Sequence, residues 1–269
     1  MMSLFENNFL FPPPPSIYMS TMSVITLIAL ANLGFSELRG KHLHYSKFWN
    51  VGSDSKAVKL SSRTGMLILY TPAFVAGAVS LWLCFDTHDL RFLLVSSALA
   101  FHFFKRDIEV LFVHKYSGGM VLDSTILISL TYFFCSVNMI YNQHLLQGVP
   151  DPEIDLKFIG VALFLVGIVG SFYHHCILSN LRKEKSGGSD KGYKIPKGGL
   201  FGAVVCAHYF FEILTFIGIS LMAQSLYPIC FAIGDTCYLI GRSYATRKWY
   251  LSKFPNFPKH VKALIPFVF

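Results

Sequence analysis

Four groups of residues in this chain have the types and spacing to do chemistry. His102, Lys105, Arg106 and Glu109 recur at spacings of three or four, which on a helix puts them on neighbouring turns. Tyr173, His174, His175 and Arg182 form a second group, His208, Tyr209 and Glu212 a third, and Arg242, Tyr244, Arg247 and Tyr250 a fourth. Arginines grip phosphates bidentately, and histidine, tyrosine and lysine carry most proton transfers in enzymes. A carboxylate such as Glu212 inside an apolar helix is costly unless paired, so it marks a site by default. Just upstream lies KGYKIPKGGLFGAVVCAHYFFEI, residues 191–213. Here a basic segment (Lys191, Tyr193, Lys194, Lys197) meets Gly198 and Gly199 at the predicted mouth of an apolar helix. Paired glycines let backbone N–H groups approach an anion, and the lysines attract phosphate. The chemistry suggested is proton transfer beside a bound phosphate-bearing molecule.

Each group has a plainer explanation. Lysine and arginine snorkel, tyrosines form interfacial belts, and membrane histidines pair with backbone carbonyls. What these explanations leave over is the gathering of four such groups at one membrane depth. His174 and His175 read as packing, because adjacent helical residues point different ways and no third ligand is in view. No metal site is expected. The Rossmann and P-loop glycine motifs are both missing, so a dinucleotide would have to bind among helices and loops.

The elements that position these groups follow from composition. The chain has 269 residues, 53% hydrophobic and 14% charged, and a mean hydropathy of +0.50. That charge content is far below the roughly 25% of soluble domains. Apolar runs of spanning length recur throughout, which predicts one polytopic, almost wholly helical membrane domain over residues 1–269. Spans are expected near 17–35, 65–85, 90 onward into a charged stretch that is still helical, 120–141, 158–178, 200–222 and 226–241. The N-terminal segment reads as mature sequence, with the Pro12–Pro15 run as an extended lead-in. The net charge of +8 lies between spans and reports orientation, not nucleic-acid binding. Loops after spans one, three, five and seven are basic and the others neutral or acidic. The positive-inside rule then gives a seven-helix transmembrane bundle with a lumenal N-terminus and a cytosolic C-terminus. Six cysteines, scattered through apolar segments without metal spacing, read as small buried residues.

Three stretches carry a resemblance. YKIPKGGLF, SFYHHCILSNLRK and RKWYLSKFPNFPKHVKALIPFVF resemble the C-terminal domain of the steroid 5α-reductase superfamily, which includes trans-2-enoyl-CoA and polyprenol reductases. The resemblance spans about residues 63–269. It implies a multi-pass endoplasmic reticulum membrane protein holding NADPH at the cytosolic helix ends, and reduction of a C=C bond conjugated to a carbonyl. It puts cofactor contacts at Arg182, Tyr193, Gly198, Gly199, Glu212, Arg242 and Tyr250, and at His208, where the family has Asn. Ser171, His175 and Thr246 also depart from the family pattern. Steroid reductases hold the 3-ketone with a Gln-Glu pair in span two and a His-Tyr pair in span three. This chain has Leu69-Tyr70 and His102-Phe103 at those positions.

The run HFFKRDIEVLFVHKYSGG instead resembles the enoyl-CoA reductase pattern, whose catalytic Lys and Tyr fall on Lys105 and Tyr209. No ubiquitin-like N-terminal domain of that branch is found. The resemblance therefore favours an enoyl thioester of very-long-chain fatty acid elongation as substrate, with a 3-oxo-Δ4-steroid as the alternative. A catalytically silent homologue binding other elongation or sterol enzymes is the second hypothesis. A transporter or receptor is disfavoured by the lack of paired broken-helix signals.

Overall fold

The computed structural model describes residues 8–49, 57–83, 89–116, 118–182 and 193–269. Seven long helices are found among them: α1 (Ile17–Leu38), α2 (Ser62–Leu83), α3 (Leu90–Ile108), α4 (Leu122–Leu145), α5 (Lys157–Leu181), α6 (Ala207–Ala223) and α7 (Leu226–Lys253). Ser16 caps α1 by accepting from the Met19 amide, and Asp89 caps α3 by accepting from Phe92. α1, α2, α4 and α5 are long and apolar enough to cross a membrane, and α6 is a shorter apolar helix of 17 residues. α3 and α7 carry interior charges, Lys105 and Arg106 in one and Asp235 and Arg242 in the other. The chain is a helical, multi-pass membrane protein. The seven-crossing count and its sidedness remain what the loop charges predict.

Glycines set the closest helix contacts. α1 and α7 run parallel, because Leu30 faces Gly234 while Gly34 faces Tyr238 and Gly241. α5 and α6 run antiparallel: a Cβ on Gly218 would fall 2.6 Å from the Phe164 nitrogen and 2.8 Å from the Gly160 carbonyl. In hydrocarbon such backbone approach supplies the dispersion contact that water-driven burial supplies elsewhere. Between these pairs sits an aromatic and aliphatic core that includes Leu69, Tyr70, Leu99, Phe103, Phe216 and Phe231.

The two ends of the bundle differ. At one, buried Arg91 reaches Asp151 and Asp155 and donates to Gln224, whose amide also holds the Phe9 and Ile154 carbonyls. At the other, the basic connectors meet. β1 (Lys59–Ser61) pairs antiparallel with β2 (Gly119–Val121), tying the α1–α2 connection to the α3–α4 connection. The amides of Val205 and Cys206 donate to Lys262 and Ala263, which stitches the final segment to the approach to α6. Residues 9–11 and 261–264 therefore lie at opposite ends of the bundle.

Two expected boundaries move. The sixth helix starts at Ala207, not near Leu200, because Gly199–Gly202 forms a 3₁₀ turn and the next residues pair with the final segment. The seventh runs to Lys253, so Arg242, Tyr244, Arg247 and Tyr250 belong to the helix and do not follow it. The basic loop between α5 and α6 lies, over residues 183–192, outside the described residues, as do Lys56, Cys84 and Asp86.

Candidate active site at the basic end of the bundle

α3 ends by widening into a single π turn, Glu109–Val113, a geometry frequent at functional sites. The widened turn brings Glu109, fully buried, against four groups. Lys105 Nζ lies 2.9 Å from Oε1, Arg106 NH1 lies 2.5 Å from Oε2, and His175 Nδ1 from α5 lies 3.0 Å from Oε2. His114 approaches within 4.0 Å. Lys105 also donates to Ser171 Oγ at 3.2 Å. Arg106 extends the cluster to α2, donating to the Tyr70 hydroxyl at 2.6 Å and lying 4.6 Å from its ring centroid. The Tyr70 ring is flanked by those of Phe103 and Tyr132. Buried Glu212 on α6 sits in the field of Arg106 and Lys105. Burial and the neighbouring cationic groups hold His114 neutral, far below the ordinary imidazole range.

Glu109, His114 and His175 lie within 4.8 Å of one another, close enough for one ion. The third ligand missing from the sequence reading is thus present in space. Yet Lys105 and Arg106 already hold the same carboxylate. A divalent cation there would face two fixed positive charges in a dry site, which disfavours metal binding by the trio.

The other sequence-predicted residues divide among separate places. His174 does not join His175. It bonds the Gly170 carbonyl at 2.7 Å and accepts from the Leu200 amide at 3.0 Å. Gly198 and Gly199 both have positive φ, and a Cβ on Gly199 would fall 2.6 Å from His174 Nε2. The glycine pair therefore opens a 3₁₀ turn seated on His174, several residues before α6, and not the mouth of the long helix. Gly198 and Tyr250 line a cavity of about 170 Å³ together with Lys197, Gly202 and His260. Tyr193 packs edge-on against Trp249, with ring centroids 4.9 Å apart. Arg182 donates to the Lys115 carbonyl. His208 stands 5.4 Å from His175, ring to ring. Tyr209 faces the Tyr45 and Arg242 side, and no hydrogen bond joins it to Lys105 among the described residues.

Arg242 is 2% exposed and committed. It donates to Glu37 Oε1 at 2.8 Å and to the Leu43 and Tyr45 carbonyls, with its guanidinium over the rings of Tyr45 and Phe48. Sequence reasoning missed this partner set. Glu37 closes an apolar span and looks like the start of a polar loop, and Lys47 looks like one basic residue among several. Lys47 is half-buried, and burial first, then nearby Arg242 and Arg182, pull its ammonium down to about 8.

Comparison with known proteins settles the kinship. A family model described as 3-oxo-5-alpha-steroid 4-dehydrogenase matches residues 122–269. The cotton (Gossypium hirsutum) steroid 5-alpha-reductase DET2 is 30% identical over 214 residues, covering 73% of this chain and 80% of that protein. The chain belongs to the 3-oxo-5-alpha-steroid 4-dehydrogenase family. Its similarity to the human type 1 member of this family is 38% over 146 residues, 52% of this chain and 55% of that protein. The human type 2 member is 36% identical over 141 residues, covering 51% and 54%. The chain thus spans about half the length of the mammalian relatives it matches. The enoyl-thioester branch preferred from the α3 motif has no support among these relatives, whose names are those of steroid reductases.

The family's reductive chemistry calls for a nicotinamide cofactor, and the cluster has unfilled polar capacity for one. Arg106 Nε, His102 Nδ1 and His208 Nδ1 are buried without a hydrogen-bond partner. These donors and acceptors on α3 and α6 have polar capacity of the kind such a group could use.

Proposed function

We propose that this chain reduces the C=C bond conjugated to the carbonyl of a 3-oxo-Δ4-steroid, using NADPH at the basic, cytosolic end of the bundle in the endoplasmic reticulum membrane. Family membership carries this reading, and the buried Tyr70–Arg106–Glu109 chain supports it. The cofactor is assigned to the side of the bundle holding Arg182, Tyr193, Gly198, Gly199, His208, Glu212, Arg242 and Tyr250. Bound NADPH supplies a hydride to the β-carbon of the enone.

The protein's task is to hold the carbonyl oxygen while it gains negative charge, and to deliver a proton to the α-carbon. Tyr70 suits the first role. Its hydroxyl accepts from Arg106 and keeps its own proton free to donate. Arg106 is fixed by Glu109, so the donor is preorganised and shielded from water, where such a bond is worth several times its value in solution. Lys105 and Tyr209 are the sequence-derived candidates for oxygen activation and proton delivery. The aromatic side chains packed beside Tyr70, Phe103 and Tyr132 among them, make this an apolar neighbourhood, in keeping with an apolar polycyclic substrate.

The test is microsomes expressing the chain, given NADPH with parallel panels of 3-oxo-Δ4-steroids and trans-2-enoyl-CoAs. Steroid turnover is expected. Turnover of enoyl-CoA alone would overturn the substrate class. Tyr70→Phe should lower kcat by on the order of a hundredfold, the range for a positioned donor. If Tyr70→Phe is silent while Lys105→Arg and Tyr209→Phe abolish turnover, the oxygen is held by the latter pair.

A further inference from the structure

Lys47 sits in a 3₁₀ turn, Ser46–Phe48, of the α1–α2 connection, upstream of the part of the chain matched by the family model. Its ammonium lies 4.8 Å from the Tyr250 ring centroid and 5.8 Å from that of Trp249. No described carboxylate pairs with it. The charged and titratable groups facing it are Cys206 before α6, Arg242 and Tyr250 on α7, and Arg182 at the end of α5. Arg242 is neutralised by Glu37, and Arg182 spends its guanidinium on a backbone carbonyl. Arg182 is exposed to solvent, so Lys47 alone carries an uncompensated charge in a half-buried niche, beside the Tyr250 and Trp249 rings. Such a niche is unfavourable until an anion fills it, and cation–π contact with two rings offsets only part of the cost.

The turn is also held under tension. Ser46 has φ of 56°, a left-handed conformation that is costly for a non-glycine residue. Arg242 pins it by donating to the Tyr45 carbonyl and lying over the Phe48 ring. We propose that Lys47 is a phosphate-binding residue of the dinucleotide site, and that Arg242 is the positioning residue that holds its turn in place. This rests on the cofactor reading above. It gives Arg242 an indirect part in cofactor binding, and it gives the α1–α2 connection a direct one.

The phosphate is either the 2′-phosphate or the pyrophosphate of the dinucleotide, and comparing NADPH with NADH separates them. Kd is measured by quenching of intrinsic fluorescence in the detergent-solubilised full chain. Lys47→Gln should weaken NADPH at least tenfold at pH 7, the scale of one lost charge-assisted bond. A loss for NADPH alone assigns the 2′-phosphate, and an equal loss for NADH assigns the pyrophosphate. In the wild type, NADPH affinity should fall as pH rises from 7 to 9.5, because Lys47 discharges over that range. Lys47→Arg keeps its charge, so its profile should stay flat with near-normal affinity at pH 7. That flat profile also removes Cys206 and Tyr250 as the titrating groups. Arg242→Lys should weaken binding and leave the Lys47 pH dependence visible. A folded Lys47→Gln with unchanged Kd for both dinucleotides would overturn the proposal. A wild type that binds neither would remove the cofactor reading itself.

Discussion

Glu37 and Arg242 stand 205 residues apart and make a buried ion pair at 2.8 Å, with side chains 1% and 2% exposed. Neither charge is tolerable there alone, since breaking one partner of such a pair costs about 3–5 kcal/mol. Glu37→Gln should therefore lower the thermal stability of the ligand-free chain markedly, and the double variant Glu37→Gln/Arg242→Gln should lose less than the sum of the singles. Additive losses in a melting assay would show that the two do not act as a pair. Lys47 gives a pH prediction with a definite sign. Burial holds its folded pKa at about 8, below the ordinary lysine value of 10.5, so between those values the unfolded chain binds more protons. Stability must then rise with pH across that window, and Lys47→Met should remove that component of the rise. That Glu109, His175 and Glu212 would gather at one end of the bundle was legible in the sequence. The contacts between helices, Glu109 with His175, Arg106 with Tyr70 and Arg242 with Glu37, were not, because sequence spacing shows only neighbours along one helix.

At the scale of elements, helix contacts divide the glycines into two kinds. Gly218 is locked against the backbone of α5, whereas a Cβ on Gly202 would meet nothing within 4 Å. Gly218→Val should destabilise the chain by at least the roughly 1–3 kcal/mol of core overpacking, while Gly202→Ala should be silent. Comparable melting temperatures for the two would mean that α5 and α6 are not packed this closely. Hydrophobic runs fixed the existence and order of every long helix, because a helix buries its own backbone polar groups and needs only length and apolarity to be recognised. The boundaries of α6 and α7 escaped. α6 is shortened by hydrogen bonds to residues 262 and 263, and α7 is prolonged by packing Tyr250 on Phe254 and Phe257, both non-local effects.

For the whole molecule, the alternation of loop charge anticipated which connectors would meet. The α1–α2, α3–α4 and α5–α6 connections and the final segment are joined by the β pair, by Arg182, by Arg242 and by the pairing of residues 203–206 with 262–263. A glycan acceptor fused after residue 269 should stay unmodified, since the basic end is expected in the cytosol; a glycosylated tail would invert the whole arrangement. The parallel docking of α1 on α7 has an implication for how the molecule is made. α1, with Glu37 at its end, is made before α7, which brings Arg242. Until then the Glu37 carboxylate has only its near neighbours, His42 and the Leu43 amide, and lacks the guanidinium that pairs with it in the folded chain. The connection bearing Lys47 is tied before then only through His44, which bonds Ser124 and Val121 at the start of α4. A helix from one end of the described sequence is thus completed by one from the other, and a chain stopped before α7 would leave Glu37 to His42 and the Leu43 amide alone.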